Sequence, residues 1–406
     1  MKKIFAAIVA ASMVMAICAG CGAKDKVEEV ASDAKQTAEE VKEDVEEAVA
    51  DDGETIKIGI VAGVTGPTAV YGVAAQDGML LAFDEINANG GILGKQVEVI
   101  KYDDKGDATE SCNAFNKLDG DGVCAVLGPI TSGVCAAVAP IANDVGLVML
   151  TATGTADTLT TADDYVFRAC FADSYQGTKA AQFAAQELGV KDVAIIYASG
   201  DAYSAGCCDA FEAAAAQYGL NVVAKEGSAT TDDTDFSSQL TTIANSGAEA
   251  LYAPYYYNAV GPYIVPQARE AGFTGPIIGA DGYDGTLTTM VEDKSLYNDI
   301  YFTNHYSPED PSDTVQNFVK NFTDEYGTDY LNAFSALGYD AAYMLAQAIE
   351  EAGTTDRAAI RDAIAAINFS GVTGSFTLDE TGTPLKSVPI ITFKDGEQLF
   401  YTMLEN

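Results

Sequence analysis

From Thr55 onward the chain repeats one pattern: an apolar, β-branched run, a short loop, then a stretch of helical periodicity. The runs IKIGIVAGV, VEVIKYDD, CAVLG and LVMLT read as strands. Between them, VAAQDGMLLAFDEINANGG, TESCNAFNKLDGDG and SGVCAAVAPIANDVG read as helices; the first stops at Gly90 and Gly91, and the last holds despite Pro140. Near-continuous apolar strands alternating with amphipathic helices predict a parallel sheet covered on both faces, an α/β fold. The pattern restarts around Tyr165 to Asp173 and yields a second αβ set of similar size, in which ALYAPYYY is predicted as a strand. Helices follow over VQNFVKNFTDEYG, ALGYDAAYMLAQAIEEAG and DRAAIRDAIAAI, and then a tail with the short β-like runs GSFTLDETG and VPIITFKDGEQLFYTM. A length of 406 residues accommodates two domains of ordinary size.

Three loops that follow strands of the first set carry hydroxyls and glycine and no charge: Thr65 to Gly72, Gly128 to Gly133 and Thr151 to Thr155. In an open parallel sheet, ligands bind beyond the carboxyl ends of the strands, where these loops lie. They suggest one crevice that holds a small polar molecule without breaking it.

Charge narrows the partners. With 22 basic and 60 acidic residues the formal net charge is -38. Nucleic acid is excluded as a partner, because its phosphates need Lys and Arg to displace counterions. Attraction to anionic lipid headgroups is excluded on the same ground. The excess acid reads as a solubility surface.

The first residues read as a processed segment. Lys2 and Lys3 precede the apolar stretch Ile4 to Ile17, which is short for a bilayer span and reads as an export signal over 1–20. Its end, CAGC, resembles a bacterial lipoprotein box, with Cys18 where Leu is usual. That resemblance implies cleavage before Cys21 and lipidation of Cys21, hence an extracytoplasmic protein anchored to the cell membrane. From Lys24 to Glu54 stand thirteen acids and four lysines, and the periodic apolar residues are only Val and Ala. Such a segment, 21–54 with the modified cysteine, reads as a solvated tether; a short coiled-coil contact is the alternative.

Six cysteines remain: Cys112, Cys124, Cys135, Cys170, Cys207 and Cys208. They show no CxxC spacing among themselves, and His305 is the sole histidine, so no metal site and no cofactor is expected. The six read first as buried small apolar residues. In an oxidising compartment Cys112 with Cys135 is the pairing to test first, because both should lie on helices flanking neighbouring strands.

Taken in order, the stretches IKIGIVAGVTGPTAVYG, AFDEINANGGILGKQVEVIKYDD, VLGPITSG, FRACFADSYQG, DAYSAG, ALYAPYYY, IIGADGY and GVTGSFTLDETG carry a family pattern. From about Thr55 to its end the chain resembles the substrate-binding proteins of branched-chain amino acid ABC importers, the leucine/isoleucine/valine type. The resemblance implies two Rossmann-like lobes of periplasmic-binding-protein type I, joined by three hinge crossovers. Lobe 1 would comprise 55–171 plus 305–376, and lobe 2 would comprise 172–304 plus 377–406. It implies a free amino acid as ligand, ABC permease subunits as partners and a monomer. Family members often carry a disulfide near the second loop, but Gly106 and Thr131 occupy the corresponding positions here.

Carried over by motif, Ser132, Thr153 and Thr155 would hold the α-carboxylate and ammonium, with Tyr71 lining the same lobe. Tyr203, Tyr256 and Asp281 would close over the ligand from lobe 2, Asp281 pairing with the ammonium. A dry cleft needs such a carboxylate to neutralise that charge. Tyr283 is a further wall. Of Tyr255, Tyr256 and Tyr257, a strand cannot present all three to one side. Two structural alternatives remain: Ser132 and Thr155 as helix caps, and Asp281 as a turn former. A ligand-sensing subunit would use the same residues, and an amide or an aromatic acid is an alternative solute. An enzyme is not expected. His305 reads as linker rather than crevice, and no GxSxG, HExxH or P-loop motif occurs.

Overall fold

The computed structural model describes residues 55–405 apart from 162, 163, 286, 288, 289 and 291. The export signal, Cys21 and the acidic tether lie outside the described residues. Residues 55–406 form one compact unit.

The first sheet has the order β2-β1-β3-β4-β5 and is wholly parallel. Its strands are β1 (Ile56–Ala62), β2 (Val97–Asp103), β3 (Ala125–Leu127), β4 (Val148–Thr151) and β5 (Val166–Arg168). Between them run α1 (Ala69–Ala88), α2 (Ala108–Gly120) and α3 (Ser132–Val145). The inner strands β1, β3 and β4 are buried on both faces or nearly so, as the continuous apolar runs require, whereas β2 at the edge is half-exposed. Asp107 starts α2 by accepting from the N–H groups of Thr109 and Glu110, both at 2.9 Å.

The second sheet runs β14-β13-β10-β9-β8-β6-β7. The parallel part comprises β6 (Asp192–Ala198), β7 (Asn221–Ser228), β8 (Ala250–Tyr252), β9 (Ile277–Gly279) and β10 (Ile300–Thr303). The helices α4 (Asp173–Gln186), α5 (Ala202–Ala215) and α6 (Ser237–Ala244) belong to it. A short α7 (Tyr257–Ala259) continues through a π turn, Val260–Ile264, into α8 (Val265–Glu270). The chain then returns to the first layer with α9 (Asp313–Tyr326), α10 (Ala333–Ala352) and α11 (Arg357–Ala365). There α10 packs along α1, and both α10 and α11 touch β4. A hairpin of β11 (Asn368–Gly371) and β12 (Gly374–Thr377) follows. Last, β13 (Val388–Lys394) adds antiparallel to β10, with β14 (Glu397–Leu404) beyond it. The chain thus passes three times between the two layers, and the fold is two α/β units with an antiparallel hairpin on one edge.

Three expectations need correction. ALYAPYYY is a strand only over Ala250–Tyr252; Tyr256 caps α7, so the three tyrosines diverge at a turn and do not alternate along a strand. The first helix begins at Ala69 and not near Val73, which places Tyr71 in its first turn. No disulfide joins Cys112 to Cys135: all six described cysteines are free thiols. Cys135 turns inward, toward the carbonyl of Pro129 at 3.3 Å, while the Cys112 thiol meets the carbonyl of Ala137 at 3.5 Å.

Candidate functional site

The loops after β3 and β4 are knitted together before any ligand is considered. Gly128 has φ +100°, and a Cβ there would stand 2.0 Å from the Val61 carbonyl oxygen, so only glycine lets the loop leave the strand at that point. Thr151 Oγ1 donates to the Pro129 carbonyl at 2.6 Å and accepts from Gly154 N–H at 2.9 Å. This hydroxyl is scaffold. The other three are placed around one small cavity. Ser132 is the first residue of α3, so the positive end of that helix meets the cavity floor. Its Oγ accepts from the N–H groups of Thr155 at 3.2 Å and Ala156 at 3.1 Å, which leaves the hydroxyl proton to donate outward. Thr153 is the opposite case. Its hydroxyl donates to the Ile130 carbonyl at 2.8 Å, so its lone pairs remain to accept. One hydroxyl is thereby set as a donor and its neighbour as an acceptor.

The aromatic walls come from both layers. Tyr71 is carried by α1, where Gly72 allows close approach: a Cβ would stand 2.1 Å from the Gly63 carbonyl oxygen. Its ring stacks on Phe334 with centroids 4.1 Å apart. Phe334 is held at the start of α10 by a capping box, in which Asn332 Oδ1 accepts from the Phe334 and Ser335 N–H groups. From the second layer, Tyr203 stacks on Tyr256 at 5.1 Å.

Asp281 follows β9 and is buried at the cavity edge. Its Oδ1 accepts from Gln176 Nε2 at 3.1 Å, and its Oδ2 lies 3.1 Å from His305 Nε2. Gln176 Nε2 also donates to Asp173 Oδ1 at 2.9 Å, so one amide bridges two buried carboxylates. Burial and the charge of Asp281 push the Asp173 carboxyl up to about 7. Burial lowers the His305 imidazole below its ordinary value, outweighing the attraction of Asp281. No Lys or Arg is among the residues lining this cavity.

The two layers meet across the cavity. Tyr71 Oη donates to the Gly282 carbonyl at 2.5 Å and accepts from Tyr257 N–H at 3.2 Å. Tyr257 Oη donates to the Pro67 carbonyl at 3.0 Å, and Asp284 accepts from Ala333 N–H at 2.8 Å. These bonds describe a closed arrangement.

All seven residues expected at the site, Tyr71, Ser132, Thr153, Thr155, Tyr203, Tyr256 and Asp281, line this one cavity. Tyr283 does not. The turn Asp281–Tyr283 sends its ring into the core against Phe302, and its hydroxyl donates to the Ala253 carbonyl at 2.7 Å. Thr65 in the first loop also faces away, toward Asp103 Oδ2 at 2.6 Å. His305 lies on a crossover, as expected, yet it reaches the site through Asp281. Phe334 was not singled out in the sequence; the N-x-x-S cap before an apolar run marks the helix start, but nothing local marks the ring as a wall.

A sequence profile described as periplasmic binding protein matches residues 55–398. A Leu/Ile/Val-binding protein homolog of Brucella melitensis is 31% identical over 352 residues, covering 84% of this chain and 92% of its own. The crystal structure of the leucine binding protein LivK of Thermotoga maritima superposes with TM-score 0.80 at 32% identity, covering 86% of this chain and 99% of that one. The branched-chain amino acid transporter substrate binding protein LivJ of Streptococcus pneumoniae, solved in complex with isoleucine, gives 0.79 at 32% identity, covering 87% and 99%. The chain belongs to the periplasmic binding protein family, a family of extracytoplasmic solute-binding proteins, and its relatives include Leu/Ile/Val-binding proteins.

Proposed function

We propose that this chain is the substrate-binding lipoprotein of an ABC importer, and that it holds one free amino acid, leucine, isoleucine or valine, in the cavity between its layers. The observation that carries this reading is the pairing of polar groups across an aromatic box. A hydroxyl donor at a helix N-terminus (Ser132) suits a carboxylate. A hydroxyl acceptor (Thr153) and a buried carboxylate (Asp281) suit an ammonium. Between them, Tyr71, Phe334, Tyr203 and Tyr256 offer ring faces to an apolar side chain.

In this reading the two lobes, 55–171 plus 305–376 and 172–304 plus 377–406, rotate about the crossovers. A ligand touches both only when they are closed, so it shifts the population toward the closed form that a permease would read. The bound molecule is carried and not converted. Lipidation at Cys21 supplies the anchor, and 24–54 supplies reach. Mass spectrometry of the solute released on denaturing freshly purified protein tests the assignment. A branched-chain amino acid in near-stoichiometric amount is expected. A released amide or aromatic acid, or no exchangeable uptake of leucine, isoleucine or valine, would refute it.

A further inference from the structure

The three crossovers meet behind the cavity. Phe171, just after β5, stacks on His305, just after β10, with centroids 3.8 Å apart. Lys386, before β13, donates from Nζ to the Ala169 carbonyl at 3.0 Å and to Thr373 Oγ1 at 2.7 Å. His305 is buried, with its Nδ1 unpartnered and its Nε2 on Asp281 Oδ2. An imidazole with one bare nitrogen in a dry site is a neutral tautomer. The nitrogen that faces the carboxylate then carries the proton and donates. The groups that act on this ring are Asp281, which favours its charged form, and burial together with Lys386, which oppose it.

We propose that His305 is a positioning residue: as a neutral Nε2–H donor mounted on a crossover, it fixes the Asp281 carboxylate for the ligand's ammonium and ties that contact to the hinge. The inference rests on the amino-acid reading of the site. With Gln176 on Oδ1 and His305 on Oδ2, the carboxylate is held at both oxygens while Asp281 lines the cavity. Because both partners are neutral, neither cancels the charge that the ammonium needs. The same histidine stacks on Phe171 of another crossover, so a shift of the hinge moves the carboxylate, and a bound ammonium restrains the hinge.

Since His305 is the sole histidine, 15N-histidine labelling of the purified full chain reports a single imidazole, whose Nδ1 and Nε2 resonances are read without a ligand. The Nε2–H tautomer is expected, staying neutral through the range in which a free imidazole becomes charged and shifting in D281N. An imidazolium at pH 7, or the Nδ1–H tautomer, overturns the proposal. The second arm measures leucine and 4-methylpentanoate, which lacks the ammonium. H305F keeps the ring stack and loses the donor; it should weaken leucine roughly 10- to 100-fold and leave 4-methylpentanoate unchanged. H305Q, with an amide donor, should recover most of the loss. Unchanged leucine affinity in H305F, or an equal fall for both probes, refutes the positioning role. If the wild type takes up no branched-chain amino acid, the ligand assignment fails and the labelling arm still decides the His305–Asp281 contact.

Discussion

Tyr71→Phe isolates the closure step from the ligand contacts. The ring remains, with its stack on Phe334. What is lost is the hydroxyl that donates to the Gly282 carbonyl and accepts from Tyr257 N–H, both across the cleft. In the open form those backbone groups meet water, so the loss is felt only on closing. A buried backbone group left without a partner costs about 1–3 kcal/mol. Two such groups, less the desolvation that the missing hydroxyl no longer suffers, give about 2–3 kcal/mol against closure. At 1.4 kcal/mol per decade this is a roughly 30- to 150-fold weaker leucine affinity. Titration calorimetry reads the affinity, and small-angle scattering with and without leucine reads the closure. The variant should need far more leucine to reach the same compact form. An affinity within threefold of wild type, with an unchanged scattering response, would refute the latch.

Three further outcomes are expected. Ser132→Ala leaves the N–H groups of Thr155 and Ala156 without their acceptor and removes the outward donor; leucine affinity should fall at least about tenfold, and calorimetry showing no change would exclude Ser132 from the site. Asp173 is held near 7 in the folded state against roughly 3.9 unfolded. The native state thus keeps a proton that the unfolded state has lost between those values, and stability from this group falls as pH rises across that window. Asp173→Asn should therefore gain in Tm relative to wild type at pH 8 and lose that gain toward pH 4, whereas parallel Tm–pH curves would contradict the assignment. Asp340 accepts from Val372 N–H, Thr373 N–H and the Thr373 hydroxyl, and its charge supports buried Lys386. Asp340→Ala should cost about 3–5 kcal/mol in urea unfolding, and a loss under 1 kcal/mol would be inconsistent with that support.

The order of strands and helices is legible because burial on both faces writes itself as continuous apolar runs, and helices write a 3.6-residue period. What misled was local chemistry at element ends. The run of tyrosines at 255–257 has the composition of a strand, but Tyr256 has already turned into a helix cap. Tyr283 and Asp281 are two residues apart, yet a single tight turn divides them between core and cavity. The hydroxyls proposed to bind were singled out through family likeness. Their division into donor and acceptor is set by backbone carbonyls and N–H groups that no composition records. His305 and Phe334 were missed because distant parts of the chain bring them to the site: His305 acts through Asp281, and Phe334 lines the cavity beside Tyr71.

The central claim is that the cavity grips both charged ends of an amino acid. Titration calorimetry of the wild-type protein with leucine, with leucinamide, which lacks the carboxylate, and with 4-methylpentanoate, which lacks the ammonium, addresses it directly. Leucine should bind, and each analogue should be weaker by at least roughly 100-fold, the scale for leaving a site's buried polar groups unpaired. Equal affinity for leucine and either analogue would contradict the claim.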